Sequence, residues 1–214
     1  ISLRSSQFLL GGGSLKSKYI IIRGGLFMKN NQFEGIFPYL VSPVSSCGKV
    51  KKNVLKQLVT HLIDSRISGL TLFGSTGEFP YINQKQKEDI LKTVIHVNNK
   101  RVPIIAGVSH FSTIEAIYQA KRFEELGVDG ILLTINIYYP ISEECIYDYF
   151  KTIAENISCP TIIYHNPKFS NIDFSLDLIG KLSEVPNINY IKYATPNVGK
   201  ILSIINKCKN KLAV

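Results

Sequence analysis

The sequence predicts an α/β fold, a TIM (β/α)8 barrel carried as far as about six βα units. From Glu34 onward, short β-rich runs alternate with segments whose apolar residues recur at helical spacing. Strands alternating with helices imply a parallel sheet. After the first strand stands Val41-Ser42-Pro43-Val44, without the glycine pattern of a nucleotide fold. Two closures compete for this pattern. A doubly wound sheet is complete with five or six strands, whereas a barrel of eight needs about 250 residues. Leu212-Ala213-Val214 reads as the opening of a seventh strand, which favours a barrel cut off after its sixth unit.

The strands are expected at 35–41, 69–73, 103–107, 130–134, 161–164 and 189–193, each followed by a helix. The helices are expected at about 50–65, 83–97, 112–126, 142–156, 174–184 and 197–207. Asn83, Ser112 and Ser142 are N-cap candidates, since their side chains accept from the free N–H groups of a first helical turn. Gly69, Gly127 and Gly130 punctuate the helix-to-strand turns. Pro103 and Pro160 enter strands at the first residue, where a missing N–H is tolerated.

Residues 1–27 differ from the rest. They hold Gly11-Gly12-Gly13, several serines, and Arg4, Lys16, Lys18 and Arg23 with no acid. Met28 is the only methionine. The segment reads as an unstructured leader, read-through or an artefact of expression, with residues 28–214 as an incomplete barrel domain; a transit peptide has the same composition.

The chain has 214 residues, 45% hydrophobic and 19% charged, enough for a sizeable core. Of the formal net charge of +9, residues 1–27 supply +4, and the remaining +5 (9 − 4) is spread along the helices. No basic run is interleaved with aromatics, so nucleic acid is not the expected partner; the charge favours anionic substrates. Cys47, Cys145, Cys159 and Cys208 form no Cys-x-x-Cys pair, which fits a reducing compartment such as the cytoplasm. His61, His96, His110 and His165 lack metal-ligand spacing. The apolar runs are too short to span a bilayer, so no membrane partner is expected.

Three strand ends carry candidate chemistry. Lys192 lies in Tyr190-Ile191-Lys192-Tyr193-Ala194-Thr195 and faces the barrel interior if side chains alternate along that strand. A desolvated amine there loses its proton readily and attacks a carbonyl. The alternative is a register slip that leaves Lys192 in the outer layer. Gly74-Ser75-Thr76-Gly77-Glu78 offers backbone N–H groups and two hydroxyls to a small carboxylate, or is simply a turn that caps the next helix. Tyr164 ends the fifth strand, as a general acid/base or as an amphipathic residue filling the mouth of the core.

Tyr138-Tyr139-Pro140 is a lid, a subunit contact or core, and Phe37-Pro38-Tyr39 is read as core. His165 and Lys168 either meet a substrate carboxylate or, the preferred reading, are solvated loop residues. Glu143-Glu144 is the acidic first turn of a helix.

Taken together these residues resemble the dihydrodipicolinate synthase / N-acetylneuraminate lyase family of pyruvate-dependent aldolases. The similarity runs from about Gly35 to Val214. Three motifs carry it: Gly74-Ser75-Thr76-Gly77-Glu78, Tyr164-His165-Asn166-Pro167 and Ile191-Lys192-Tyr193-Ala194-Thr195. The resemblance implies an eight-stranded barrel and a homotetramer built as a dimer of tight dimers. It implies that Lys192 forms a Schiff base with pyruvate or another 2-oxo acid, with an aldehyde as second substrate. Tyr164 would be the proton shuttle. Ser75 and Thr76, with Gly74, would hold the pyruvyl carboxylate, and Ser75 and Thr76 would link to the shuttle. Tyr138 would reach across the dimer interface to complete the relay, with Tyr139 the fallback. No metal or organic cofactor is implied.

Two departures matter. Dihydrodipicolinate synthases carry an arginine two residues after the proline of the tyrosine motif, where this chain has Phe169. The Ser75-Thr76 pair and the Tyr138-Tyr139-Pro140 string look more like the lyase branch. A dehydratase or hydratase-aldolase of the same family is a further alternative, as is a truncated remnant without turnover.

Overall fold

The computed structural model describes residues 32–209 and 211–214 in full, and otherwise only the backbone of two short strands. These strands, β1 (Tyr19–Ile22) and β2 (Gly25–Met28), pair antiparallel within the unit Ile1–Gln32. The leader expected over residues 1–27 lies, apart from these strands, outside the described residues.

In the second unit, Phe33–Val214, helices and strands alternate. The order is α1 (Lys52–Asp64), β3 (Leu70–Leu72), α2 (Gln84–Asn98), β4 (Ile104–Val108), α3 (Thr113–Leu126) and β5 (Gly130–Leu133). Then come α4 (Glu143–Glu155), β6 (Thr161–His165), the single turn α5 (Pro167–Ser170), α6 (Leu176–Leu182), β7 (Ile188–Tyr193) and α7 (Val198–Cys208).

Local chemistry sets the boundaries. The Asn83 side chain accepts from the Gln86 N–H while Gln86 bonds back to the Asn83 N–H, a reciprocal cap that starts α2. Ser112, Ser142 and Ser175 cap α3, α4 and α6 in the simpler way. Along α4 the buried residues are Ile146, Tyr149, Phe150, Ile153 and Ala154, one stripe at helical spacing. The expected strand at 35–41 is not regular. Its Tyr39 makes one parallel bridge to Thr71, with Leu40 N donating to Thr71 O and Thr71 N to Pro38 O. Pro38 has no N–H to continue a ladder.

All pairings from β3 to β7 are parallel, and each strand pairs with the next in sequence. A doubly wound sheet would reverse its order partway. Ala213 extends the sheet in the same sense: Ala213 N donates to Asn189 O, and Ile191 N to Ala213 O.

Side chains alternate between two cores. Ile104, Ala106, Ile131, Leu133, Ile163 and Ile191 pack against the helices. Ile105, Leu132, Ile162, Tyr164 and Tyr190 face the other way and pack with Phe33, Phe37, Tyr39, Ala194 and Ala213. This second core joins the two edges of the sheet. The Phe33 and Tyr190 rings are 5.1 Å apart, and the Tyr39 ring centroid lies 3.9 Å from the Lys192 amine. Five strand spacings apart, the Tyr39 segment and β7 would stand about 24 Å from each other in a flat sheet at about 4.8 Å per strand. The sheet is therefore curled round its second core, as in a β/α barrel.

Candidate active site

Tyr164 and Lys192 are register partners on β6 and β7, and both side chains point into the barrel interior. The expected orientation of Lys192 holds because Ile191 and Tyr193, its neighbours, pack against the helix-side core. The Lys192 amine lies 3.9 Å from the Tyr39 ring centroid and 4.0 Å from that of Tyr164. Burial lowers its pKa below the usual lysine range, and the nearby Tyr164 hydroxyl pulls the other way.

Besides the Lys192 amine, the Tyr164 hydroxyl meets Asn166 and Ser75. Asn166 Nδ2 donates to it at 3.0 Å, and Ser75 Oγ lies 3.2 Å away. With one lone pair taken by Asn166, the phenol proton is free to pass to Ser75. Ser75 is held there by a tight turn, Ser75–Gly77, that follows β3. Gly74 precedes it, buried, and its lack of a side chain is a spatial necessity: a Cβ there would stand 2.4 Å from Tyr39 Cδ1. Phe73, just before, is buried at φ +56°, a strained conformation for a bulky residue at the entrance to the site.

Outside this pair a cleft of about 410 Å³ is bounded by Ser75, Glu78, Thr134, Asn136, Tyr164, Asn166 and Phe169, among others. Lys192 is not in its wall; the amine lies over the Tyr164 ring. A second cavity of about 550 Å³ shares Phe79, Pro80, Ile135, Asn136, Phe169 and Ser170 with it and includes Lys87. Lys87 is buried, and desolvation lowers its pKa to about 8. Lys192 differs from Lys87 in having a tyrosine hydroxyl beside it. Among the described residues, no three or more His, Cys, Asp or Glu side chains are grouped to hold a metal ion, and no helix is long and apolar enough to cross a membrane.

The structure brings Lys192, Tyr164, Ser75 and Gly74 to one place. Thr76 is on the same turn but exposed. Tyr138 and Tyr139 follow β5, 80% and 71% exposed, packed edge-to-face on each other at 4.7 Å. Nothing in the geometry of this single chain brings Tyr138 to the Ser75–Tyr164 pair.

His165 corrects the solvated-loop reading. It closes β6 and is 1% exposed, stacked on Phe174, with Nε2 3.1 Å from Asp173 Oδ1. Burial lowers its pKa, the Asp173 carboxylate opposing. The same Asp173 oxygen accepts from Lys200 at 2.6 Å and from Tyr193 at 3.1 Å. This cluster packs behind the strand ends, on the side away from Lys192. Tyr39 and Asn166 are the site residues that sequence reasoning missed. The signal for Tyr39 was alternation: it shares a face with Phe37, the interior face that Lys192 also uses.

The model of the Dihydrodipicolinate synthetase family matches residues 32–214. A 4-hydroxy-tetrahydrodipicolinate synthase of Neisseria meningitidis serogroup B is 33% identical over 181 residues, 85% of this chain and 62% of the relative. One from Persephonella marina is 34% identical over 175 residues, 81% of this chain and 59% of the relative. The crystal structure of a chloride-inhibited dihydrodipicolinate synthase from Acinetobacter baumannii, complexed with pyruvate, superposes with a TM-score of 0.81 at 35% identity. It covers 84% of this chain and 62% of that one. The chain thus spans about three-fifths of the length of the relatives it matches. With the family model matching most of the chain and the solved relative superposing on its barrel, the chain belongs to the dihydrodipicolinate synthetase family.

Proposed function

We propose that this chain is the Schiff-base-forming part of a pyruvate-dependent class I aldolase or lyase. The observation that carries the reading is the Lys192 amine lying against Tyr164, whose hydroxyl bonds Ser75. The amine attacks C2 of a 2-oxo acid. Tyr164 protonates the carbinolamine oxygen, water leaves, and an iminium forms on the Lys192 nitrogen. Loss of a C3 proton gives an enamine, which adds to an aldehyde; in reverse, the adjacent C–C bond breaks. Ser75, Thr76 and the backbone at Gly74 hold the carboxylate, and the Ser75 and Thr76 hydroxyls pass the proton onward. Tyr138 enters the relay from a neighbouring copy in a cytoplasmic homotetramer, a role consistent with its exposure.

Two observations bear on the second substrate. The curated relatives quoted above are synthases by name, which supports the condensing direction, with an aldehyde as acceptor. Phe169 in the cleft wall, where synthases carry arginine, favours a lyase-like acceptor instead.

Pyruvate with borohydride, followed by peptide mass spectrometry on the folded chain, tests the reading. The expected result is a pyruvate-derived adduct on the Lys192 peptide, absent without borohydride. No adduct on folded protein, or an adduct confined to the Lys87 peptide, overturns it.

A further inference from the structure

We infer that Tyr39 is a further catalytic residue: its ring face stabilises the positive charge that the Lys192 nitrogen carries as iminium. The inference rests on the Lys192 reading above.

A cation within about 6 Å of an aromatic face is attracted to it, more strongly when desolvated. The Lys192 nitrogen meets two such faces, Tyr39 at 3.9 Å and Tyr164 at 4.0 Å. Tyr164 has a second task through its hydroxyl; among the described residues no hydrogen bond assigns one to the Tyr39 side chain. Burial pushes the Tyr39 phenol far up, helped by Tyr164 beside it, so the group is neutral and acts through its ring rather than as a phenolate.

The ring's place is built in from both sides. Backbone hydrogen bonds on either side of Tyr39, from Thr71 N to Pro38 O (3.0 Å) and from Leu40 N to Thr71 O (2.9 Å), fix its direction into the barrel. Gly74 leaves the space that the ring fills.

The chemistry explains why a ring suits this position. Both the ammonium and the iminium can lose a proton, and the neutral imine is a poor electron sink, so a group that attracts the cation keeps the Schiff base in its reactive form. A carboxylate beside the nitrogen would stabilise the iminium and would also hold the ammonium so tightly that the neutral nucleophile became rare. A ring face gives a weaker attraction, of a size that favours the iminium without abolishing deprotonation.

The test compares Tyr39→Phe, Tyr39→Leu and Tyr39→Met in the full chain. It measures the pyruvate concentration giving half-maximal trapping at Lys192, with thermal melting alongside. Phenylalanine keeps the face and should stay within about twofold of the parent. Leucine and methionine remove it and should need about tenfold more pyruvate while melting cooperatively. Methionine has about the volume of leucine but an unbranched, flexible chain that fills irregular space, so it reports even if leucine fails to fold. The titratable groups facing the amine are the Tyr39 and Tyr164 phenols, and losing the Tyr39 ring also loosens the ammonium. Trapping should therefore begin at lower pH in the leucine and methionine variants, which a loss of packing alone would not produce. Parent-like trapping in both overturns the inference, as does a phenylalanine variant as impaired as leucine. An absent adduct in the parent overturns instead the Lys192 reading beneath it.

Discussion

Asn166 donates to the same Tyr164 oxygen that lies 3.2 Å from Ser75, so the phenol is held by one donor and aimed at one hydroxyl. Removing that hydroxyl is separable from removing the ring over Lys192. Tyr164→Phe should still take up pyruvate at Lys192, slowly. Exchange of the pyruvate methyl protons with deuterated solvent, followed by NMR, should fall by roughly 10²-fold or more, the usual contribution of a positioned proton carrier. Parent-like exchange would remove Tyr164 from the relay.

Ser75→Ala leaves the Tyr164 hydroxyl with Asn166 but without its onward partner. The same exchange assay should slow by about tenfold, with weaker pyruvate saturation, consistent with one lost hydrogen bond near charge. Ser75→Thr keeps the hydroxyl and should recover most of the rate. Equal losses in both variants would mean that shape, not the hydroxyl, matters at this position.

Burial lowers the Lys192 pKa, and the neutral amine is the attacking form. Trapping by borohydride at fixed pyruvate should therefore rise with pH and reach half its maximum below the ordinary lysine value of about 10.4. A midpoint at or above that value would contradict the buried placement of the amine.

Lys87 gives a stability prediction of defined sign. Its folded pKa is lowered to about 8, against an unfolded value of about 10.4. Between those values the unfolded chain binds more protons than the folded one, so this group makes stability rise with pH across that window. Below it both states are protonated, and the full cost of burying the ammonium is felt. Lys87→Met should stabilise the chain at pH 7 by about 1–2 kcal/mol and flatten the rise between pH 8 and 10. Urea unfolding at pH 7 and pH 9.5 measures both; an unchanged slope would contradict the burial.

Asp173 ties three elements through one oxygen, accepting from Tyr193 and Lys200 and facing His165. Asp173→Ala leaves His165 buried without that partner. A loss of about 1–2 kcal/mol is expected, mostly from the stranded imidazole rather than from the partly exposed lysine pair. His165→Phe in the same background should restore part of it. Thermal melting of the single and double variants decides this.

The helices were legible because their ends are written in side chains. Asn83, Ser112 and Ser142 accept from the N–H groups of α2, α3 and α4 where expected, and the boundaries fall within about two residues. The interior direction of Lys192 was legible from alternation alone. The first strand was not: Pro38 breaks the ladder and leaves a single bridge at Tyr39, a penalty that composition does not reveal. His165 was misplaced because β6 runs one residue further than its β-rich run. The extension comes from pairing with Tyr193, a contact between strands. The meeting of Tyr39 with Lys192 depends on how far the sheet curls, which no local pattern encodes.

The order of the strands also sets a timetable. Each strand from β4 onward pairs with one synthesised just before it, so a chain leaving the ribosome finds its sheet partner already waiting. The contact between Tyr39 and Lys192 is the exception, since it joins the first segment of the barrel to its last regular strand. A nascent chain acquires its sheet strand by strand, but the surroundings of its reactive nitrogen are completed only when the two edges meet.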